Sequence, residues 1–247
     1  MAVLAASCGI CIFDPPKKII AGMKRISILL ASLVLLTVTA YGQQKKIYTH
    51  TGVEVIFSFA DVEQNGTDYG TPLRFTPVIN IETFLATDIS THFGLFTGLA
   101  VRNVGYVFDE YHDFAENAIY QKKFRSYNLG VPLGFKIGDL KKLFLYAGYE
   151  AEVAVLYKEK TIEAGDRIDQ KVEWFSERQD IFQHGVLVGV QFPKGANLKF
   201  KYYICDFHNQ DFVDKDNHKP YEGLNSNVFY FSFNIMLFRN RKPYLFE

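Results

Sequence analysis

Strict two-residue alternation over residues 127–137 limits what this chain can fold into more than any other feature. Tyr127, Leu129, Val131, Leu133, Phe135 and Ile137 fall on one side of an extended backbone. Ser126, Asn128, Gly130, Pro132, Gly134 and Lys136 fall on the other, whereas a helix mixes the two sets. Segments of the same period begin near Val53, Leu73, Phe93, Arg125, Leu143, Phe182, Leu198 and Val228, which predicts eight strands. A content of 23 Phe, 15 Tyr and one Trp agrees with a chain built of sheet.

The connections between these segments alternate in length. Those at 86–90, 138–140 and 193–197 are short, and those at 61–71, 109–121, 159–180 and 208–227 are long and polar. An up-and-down sheet whose two rims face different surroundings has this rhythm, as do outer-membrane barrels, with short turns on one side and long loops on the other.

A targeting signal fits the same destination. From Met23 the chain reads Lys24-Arg25, an apolar run over 26–38, then Thr39-Ala40-Tyr41-Gly42 before Gln43. A cationic start, a short apolar core and a small-residue exit make a secretory signal peptide, with cleavage expected between Gly42 and Gln43. The expected layout is an upstream extension over 1–22, with Met23 as the true start, a signal peptide over 23–42 and a barrel domain over 43–247. Cys8 and Cys11 would leave with the leader. Cys205 would remain alone, so no internal disulfide is expected.

Alternation is symmetric and does not by itself say which face points out. Side-chain volume does. An interior enclosed by eight strands is only just wide enough for its own side chains, and the bulky apolar set overfills it. The opposite face carries Gly94, Gly98, Gly130, Gly134, Gly148, Gly185 and Gly189 beside Glu54, Arg74, Glu82, Arg102, Lys136, Glu150, Glu152, Lys199 and Lys201. Buried charges persist when paired, so these nine are expected to form an ion-pair network filling the lumen. The apolar face then points outward, and Phe75, Phe93, Tyr127, Phe135, Tyr157, Phe182, Phe192 and Phe200 are expected in aromatic girdles. On this reading an arginine at Val131 is damaging and one at Asn128 milder.

Tyr127-Asn128-Leu129-Gly130-Val131-Pro132-Leu133 resembles the Y-x-x-x-[IV]-P-L element of the outer-membrane β-barrel family common in Bacteroidota, which includes the PorT-like proteins. Phe96-Thr97-Gly98-Leu99-Ala100 upstream and Leu145-Tyr146-Ala147-Gly148 downstream agree, and the last segment, 229–238, looks like the aromatic-ended assembly signal of such barrels, here followed by nine more residues. The resemblance spans roughly residues 50–238 and implies an eight-stranded barrel of the OmpA/OmpX-like kind in the outer membrane, with a structural, surface-interaction or secretion-associated role. Pro132 lacks a ladder donor, so a bulge or local irregularity is expected there.

Catalysis is not expected. His112 beside Asp113, and His208 near Asp206 and Asp211, can be drawn as acid–base pairs, but polar loop composition accounts for them equally. Asp211, Asp214 and Asp216 lack the pattern of a calcium loop. No zinc-ligand cluster, phosphate-binding loop or dinucleotide fingerprint is present, so neither metal nor cofactor is expected. With 27 Lys+Arg against 27 Asp+Glu, no net field attracts nucleic acid. The expected partners are outer-membrane lipid and, through the long external loops, a protein. Trp174 and Phe175 are an aromatic pair in the most charged of these loops, suited to such a contact or to anchoring an extension of the strands above the membrane.

The sequence is therefore read as an all-β, eight-stranded antiparallel up-and-down transmembrane β-barrel. Two alternatives stand beside it: an outer-membrane barrel enzyme acting on lipid, and a soluble lipocalin-like barrel that binds an apolar ligand inside.

Overall fold

A computed structural model describes residues 47–113, 117–215 and 217–240, with side chains to residue 237. The expected leader, its cleavage site and Cys8 and Cys11 lie outside the described residues. The strands are β1 (Ile47–Gln64), β2 (Thr67–Tyr69), β3 (Arg74–Thr76), β4 (Ile81–Asp88), β5 (Phe93–Val104), β6 (Val107–Asp113), β7 (Ala118–Gly138), β8 (Phe144–Glu163), β9 (Asp166–Trp174), β10 (Phe182–Gln191), β11 (Ala196–Tyr203) and β12 (Leu224–Asn240).

Eight of them close a ring in chain order: β1, β4, β5, β7, β8, β10, β11 and β12, each antiparallel to the next, with β12 returning to β1. Closure leaves no free sheet edge around the ring. The other four strands are appendages. β2 and β3 pair with β1, β6 with β7, and β9 with β8. The two longest strands, β7 with 21 residues and β8 with 20, are about twice what a tilted strand needs to cross a bilayer, so their far halves continue beyond it as hairpins with β6 and β9. Two of the long polar connections are thus largely strand.

Pro132 interrupts without shifting. Thr97 pairs with Leu133 and Ala100 with Gly130, so the register of β5 on β7 is the same on both sides of a two-residue gap in the ladder. The Pro132 carbonyl accepts from the Thr97 hydroxyl at 2.9 Å, so a neutral side chain satisfies it within the gap. The second predicted strand is also divided, because residues 77–80 leave the ladder between β3 and β4, with Ile79 at φ 63°. Asn80 closes that break: its amide donates to the Thr76 carbonyl and its side-chain oxygen accepts from the Asn103 N–H.

The faces follow the two-residue rule. Along β7, Leu129, Val131, Leu133, Phe135 and Ile137 are exposed, and Ser126, Asn128, Pro132 and Lys136 are buried. Around the ring the exposed apolar side chains form one band, from Leu95, Leu99 and Val101 on β5 to Val186 and Val188 on β10 and Phe231, Phe233 and Ile235 on β12.

Parity fails inside β8. Tyr127 pairs with Leu156 but Asn128 pairs with Ala154, leaving Val155 as an extra residue in β8. Such a bulge reverses the facing of every residue beyond it. Tyr157, expected outside in a girdle, is therefore fully buried, and Glu159 and Thr161 also turn inward.

Candidate functional site

All nine charged residues expected in the lumen are buried, at 7% exposure or less. Seven form one cluster across the barrel. The Arg102 guanidinium on β5 donates to Glu54 on β1 at 3.2 Å, to Glu82 on β4 at 2.8 Å, and to Glu150 and Glu152 on β8. Lys199 on β11 lies 2.7 Å from both Glu54 and Glu82, and Lys201 pairs with Glu150 at 2.8 Å and with Glu152. The set is four carboxylates against three cations. Neutral donors take up remaining carboxylate oxygens: Asn128 and Tyr203 donate to Glu152, and Asn234 to Glu82.

Two of the nine lie outside this cluster. Lys136 pairs instead with Asp88 at 2.7 Å and with the Tyr48 hydroxyl, near the short-turn rim. Arg74 reaches no acid among the described residues and donates to the Asn103 carbonyl and side-chain oxygen.

Small residues make room for the cluster and its floor. A Cβ at Gly130 would stand 2.6 Å from the Glu150 carboxylate, and one at Gly134 would collide with the Ala147 carbonyl and the Phe96 ring. Below the charges, Phe84, Phe96, Tyr146 and Leu187 close the barrel toward the short turns. Gly134→Ala is therefore expected to destabilise the barrel by about 1–3 kcal/mol, since a backbone oxygen has nowhere to retreat; thermal unfolding in detergent would show it, and an unchanged midpoint would contradict the packing described here.

At the opposite end the filling is aromatic. Tyr106, Phe108, Phe124, Tyr157, Phe207, Tyr221 and Tyr230 are buried together where the strands rise beyond the apolar band. His208, expected in a polar loop, is 1% exposed at their centre, stacked on Tyr221 at 4.5 Å and edge-on to Phe124 at 4.4 Å. Its Nε2 lies 3.0 Å from the Tyr106 hydroxyl. Asp206 and Asp211, drawn beside it as acid partners, are engaged elsewhere: Asp206 accepts from the Ser226 N–H, and Asp211 lies 3.5 Å from Lys219. Asp214 accepts from the His218 N–H, and Asp216 lies outside the described residues.

His208 and Glu159 are among the titrating groups in this end that are displaced from their ordinary values. Burial pushes His208 down to about 3. Burial alone would raise Glu159, but Lys122 at 2.9 Å and the Tyr221 hydroxyl outweigh it and hold the carboxyl at about 2. Both groups therefore bind protons less readily folded than unfolded. The stability that His208 gives is complete above pH 6.5 and lost as pH falls toward 3; that from Glu159 is complete above pH 4.5 and lost toward 2. Acidification from pH 6.5 is expected to weaken the aromatic end at up to about 1.4 kcal/mol per unit from His208 alone. Hydrogen exchange of the β7 amides before Asn128 and of the β8 amides beyond Val155 measures it, and His208→Phe is expected to flatten the limb above pH 4.5. An equally steep limb in that variant would assign the effect to another group.

Trp174 and Phe175 stand outside at this level. Trp174 ends β9 beside Leu156 and is 68% exposed, and Phe175 turns the chain at φ 46°. The outward positions of β7 and β8 just beyond them hold Lys123, Arg125, Lys158 and Lys160. Sequence reasoning passed over these four as a group; the signal was there in two Lys/Arg pairs at spacing two, but the bulge at Val155 hid that they share a face.

No protein-family model matches the chain, and no curated protein matches it in sequence. Among solved structures it is similar to Ail, the attachment invasion locus protein of Yersinia pestis, at 11% identity and a TM-score of 0.36, covering 78% of this chain and 99% of that one. Neisserial surface protein A matches at 12% identity and a TM-score of 0.37 over 77% of this chain and 97% of that one. A Pseudomonas aeruginosa FadL homologue matches at 12% identity and a TM-score of 0.28, over 66% of this chain and 44% of that one. At these scores the architecture rests on the strand pairing described above.

Proposed function

We propose that this protein is a non-enzymatic outer-membrane β-barrel with a structural, surface-interaction or secretion-associated role. The observation that carries it is the inversion of the ordinary distribution of side chains. A closed eight-stranded ring exposes a continuous belt of Leu, Val, Ile and Phe while burying a seven-residue ion-pair cluster inside. In water that distribution is unfavourable on both faces; in a bilayer the belt meets acyl chains and the enclosed ring satisfies its backbone. The belt on β7 spans 127–137, the length of one tilted crossing strand. Phe182 and Trp174, among the most exposed aromatics, border it at the long-hairpin side, where an interfacial girdle belongs.

A charged interior with aromatic filling above and below speaks against both an open pore and an apolar ligand cavity of the lipocalin kind. The long β6–β7 and β8–β9 hairpins are the surface offered to a protein partner. The resemblance of 127–133 to PorT-like barrels favours a secretion-associated partner over a purely structural role.

Electrophoresis of the membrane-extracted protein in detergent, boiled and unboiled, tests this reading. A closed barrel keeps its compact mobility until heated, so two bands are expected. A single band, with the protein recovered in the soluble fraction, would overturn it.

A further inference from the structure

The outward face of the β7–β8 ladder beyond the belt sets like charges opposite one another. Lys123 pairs with Lys160, and Arg125 with Lys158, as direct cross-strand neighbours. Like charges so placed repel, and a sheet that keeps them unpaired is less stable for it. Among the described residues, the ion pairs of this end, Lys122–Glu159, Lys171–Asp169 and Arg178–Glu173, include none of the four. Lys160 shows the resulting field: burial and then Arg125, Arg167, Lys123 and Lys158 hold its ammonium below the ordinary lysine value.

Directly beneath this ladder the wall is dented. The extra residue Val155 opens a groove of about 450 Å³ on the outer surface, lined chiefly by Tyr127, Leu129, Val155, Leu156 and Trp174, with Lys158 at its edge. The Lys158 ammonium sits 5.2 Å from the Tyr127 ring, a cation–π contact that places charge at the mouth of an apolar slot. A cationic quartet joined to an apolar groove is complementary to an amphiphile with an anionic head.

We propose that this face binds a phosphate-bearing lipid of the outer leaflet, its phosphate held by Lys123, Arg125, Lys158 and Lys160 and an acyl chain lying in the groove against Trp174. The proposal rests on the membrane reading above, which puts the aromatic rim at the level of the lipid headgroups. The unpaired quartet is then explained: its repulsion is relieved by an anion supplied by the surrounding leaflet, and the Arg125 fork can engage two phosphate oxygens at once. A free phosphate would use the quartet but leave the groove without purpose. A lipid uses both.

The chain has one tryptophan, Trp174, and it lines the groove, so its fluorescence reports occupancy. The detergent-solubilised protein is titrated with diphosphorylated lipid A, with the same lipid after phosphatase treatment, and with inorganic phosphate. A saturable shift in Trp174 emission is expected with the first alone. The variant Lys123→Gln, Arg125→Gln, Lys158→Gln, Lys160→Gln is expected to bind at least tenfold more weakly, yet to unfold at a higher temperature than the parent when lipid is absent. An equal response to the dephosphorylated lipid, unchanged affinity in the variant, or a lower lipid-free unfolding temperature would each overturn the proposal. So would a parent that gives no emission change while still showing a heat-modifiable band, a result that leaves the barrel reading intact; loss of that band would instead remove the reading itself.

Discussion

Arg102→Leu is expected to abolish the compact, detergent-resistant form of the barrel or to lower its stability by at least about 3–5 kcal/mol, the range for removing one member of a buried ion pair. The reason lies in the arithmetic of the lumen. Arg102 is fully buried and is the one cation that touches all four carboxylates, Glu54, Glu82, Glu150 and Glu152. Without it, Lys199 and Lys201 alone face four acids in a space that excludes water. Set against the roughly 5–15 kcal/mol of a typical domain, that loss is decisive. Urea unfolding in detergent, followed by unboiled mobility, measures it. Arg102→Leu combined with Glu150→Leu is expected to recover a part of the loss, because one of the acids paired with Arg102 goes with it. Lys136→Met serves as the comparison. Its partner Asp88 is partly exposed at the rim, and a cost below about 1 kcal/mol is expected. If Arg102→Leu were as mild as Lys136→Met, the lumen would have to be solvated and the ion pairs incidental.

The eight strands and the direction of their faces were legible because the two-residue period is a local property, and residues 126–137 repeat it without a fault. The charged interior was legible for a different reason: its members are scattered over β1, β4, β5, β8 and β11, but each sits at an inward position of its own strand. Parity locates such residues one strand at a time and says nothing about who meets whom. Hence parity groups Lys136 and Arg74 with the network although the first lies at the rim and the second reaches Asn103 instead. The bulge at Val155 was not legible. A single extra residue leaves hydrophobicity nearly unchanged, yet it turns Tyr157 and Glu159 inward and Lys158 and Lys160 outward. His208 was missed on other grounds. Its surroundings, Tyr106, Phe124, Tyr157 and Tyr221, come from four separate parts of the chain, and a polar neighbourhood in sequence, Asp206 to Asp211, concealed an aromatic one in space.

Val131→Arg tests the outward face as Arg102→Leu tests the inward one. Val131 lies midway along the belt on β7, half exposed, with Leu129 and Leu133 exposed on either side. A guanidinium there would sit among acyl chains at the middle of the bilayer, where it costs about 2–4 kcal/mol in a barrel. In water the same substitution on an exposed strand position is close to neutral, within about 0.5 kcal/mol. The two environments thus predict results that differ by more than the error of an unfolding experiment. Asn128→Arg, which strand parity alone marks as mild, is not a suitable control. Asn128 is buried, and its amide donates to Glu152 at 2.7 Å and to Gln183 at 2.8 Å, so a larger side chain displaces both bonds. Ile119→Arg is the better comparison, because Ile119 is exposed on the same strand but beyond the belt, at the level of the long hairpins. Near-neutral behaviour at Ile119 with loss of assembly at Val131 is the expected pair of results, read as heat-modifiable protein recovered from membranes. Equal tolerance at both positions would mean that the belt faces water, and the inversion of faces from which the membrane reading starts would then need another cause.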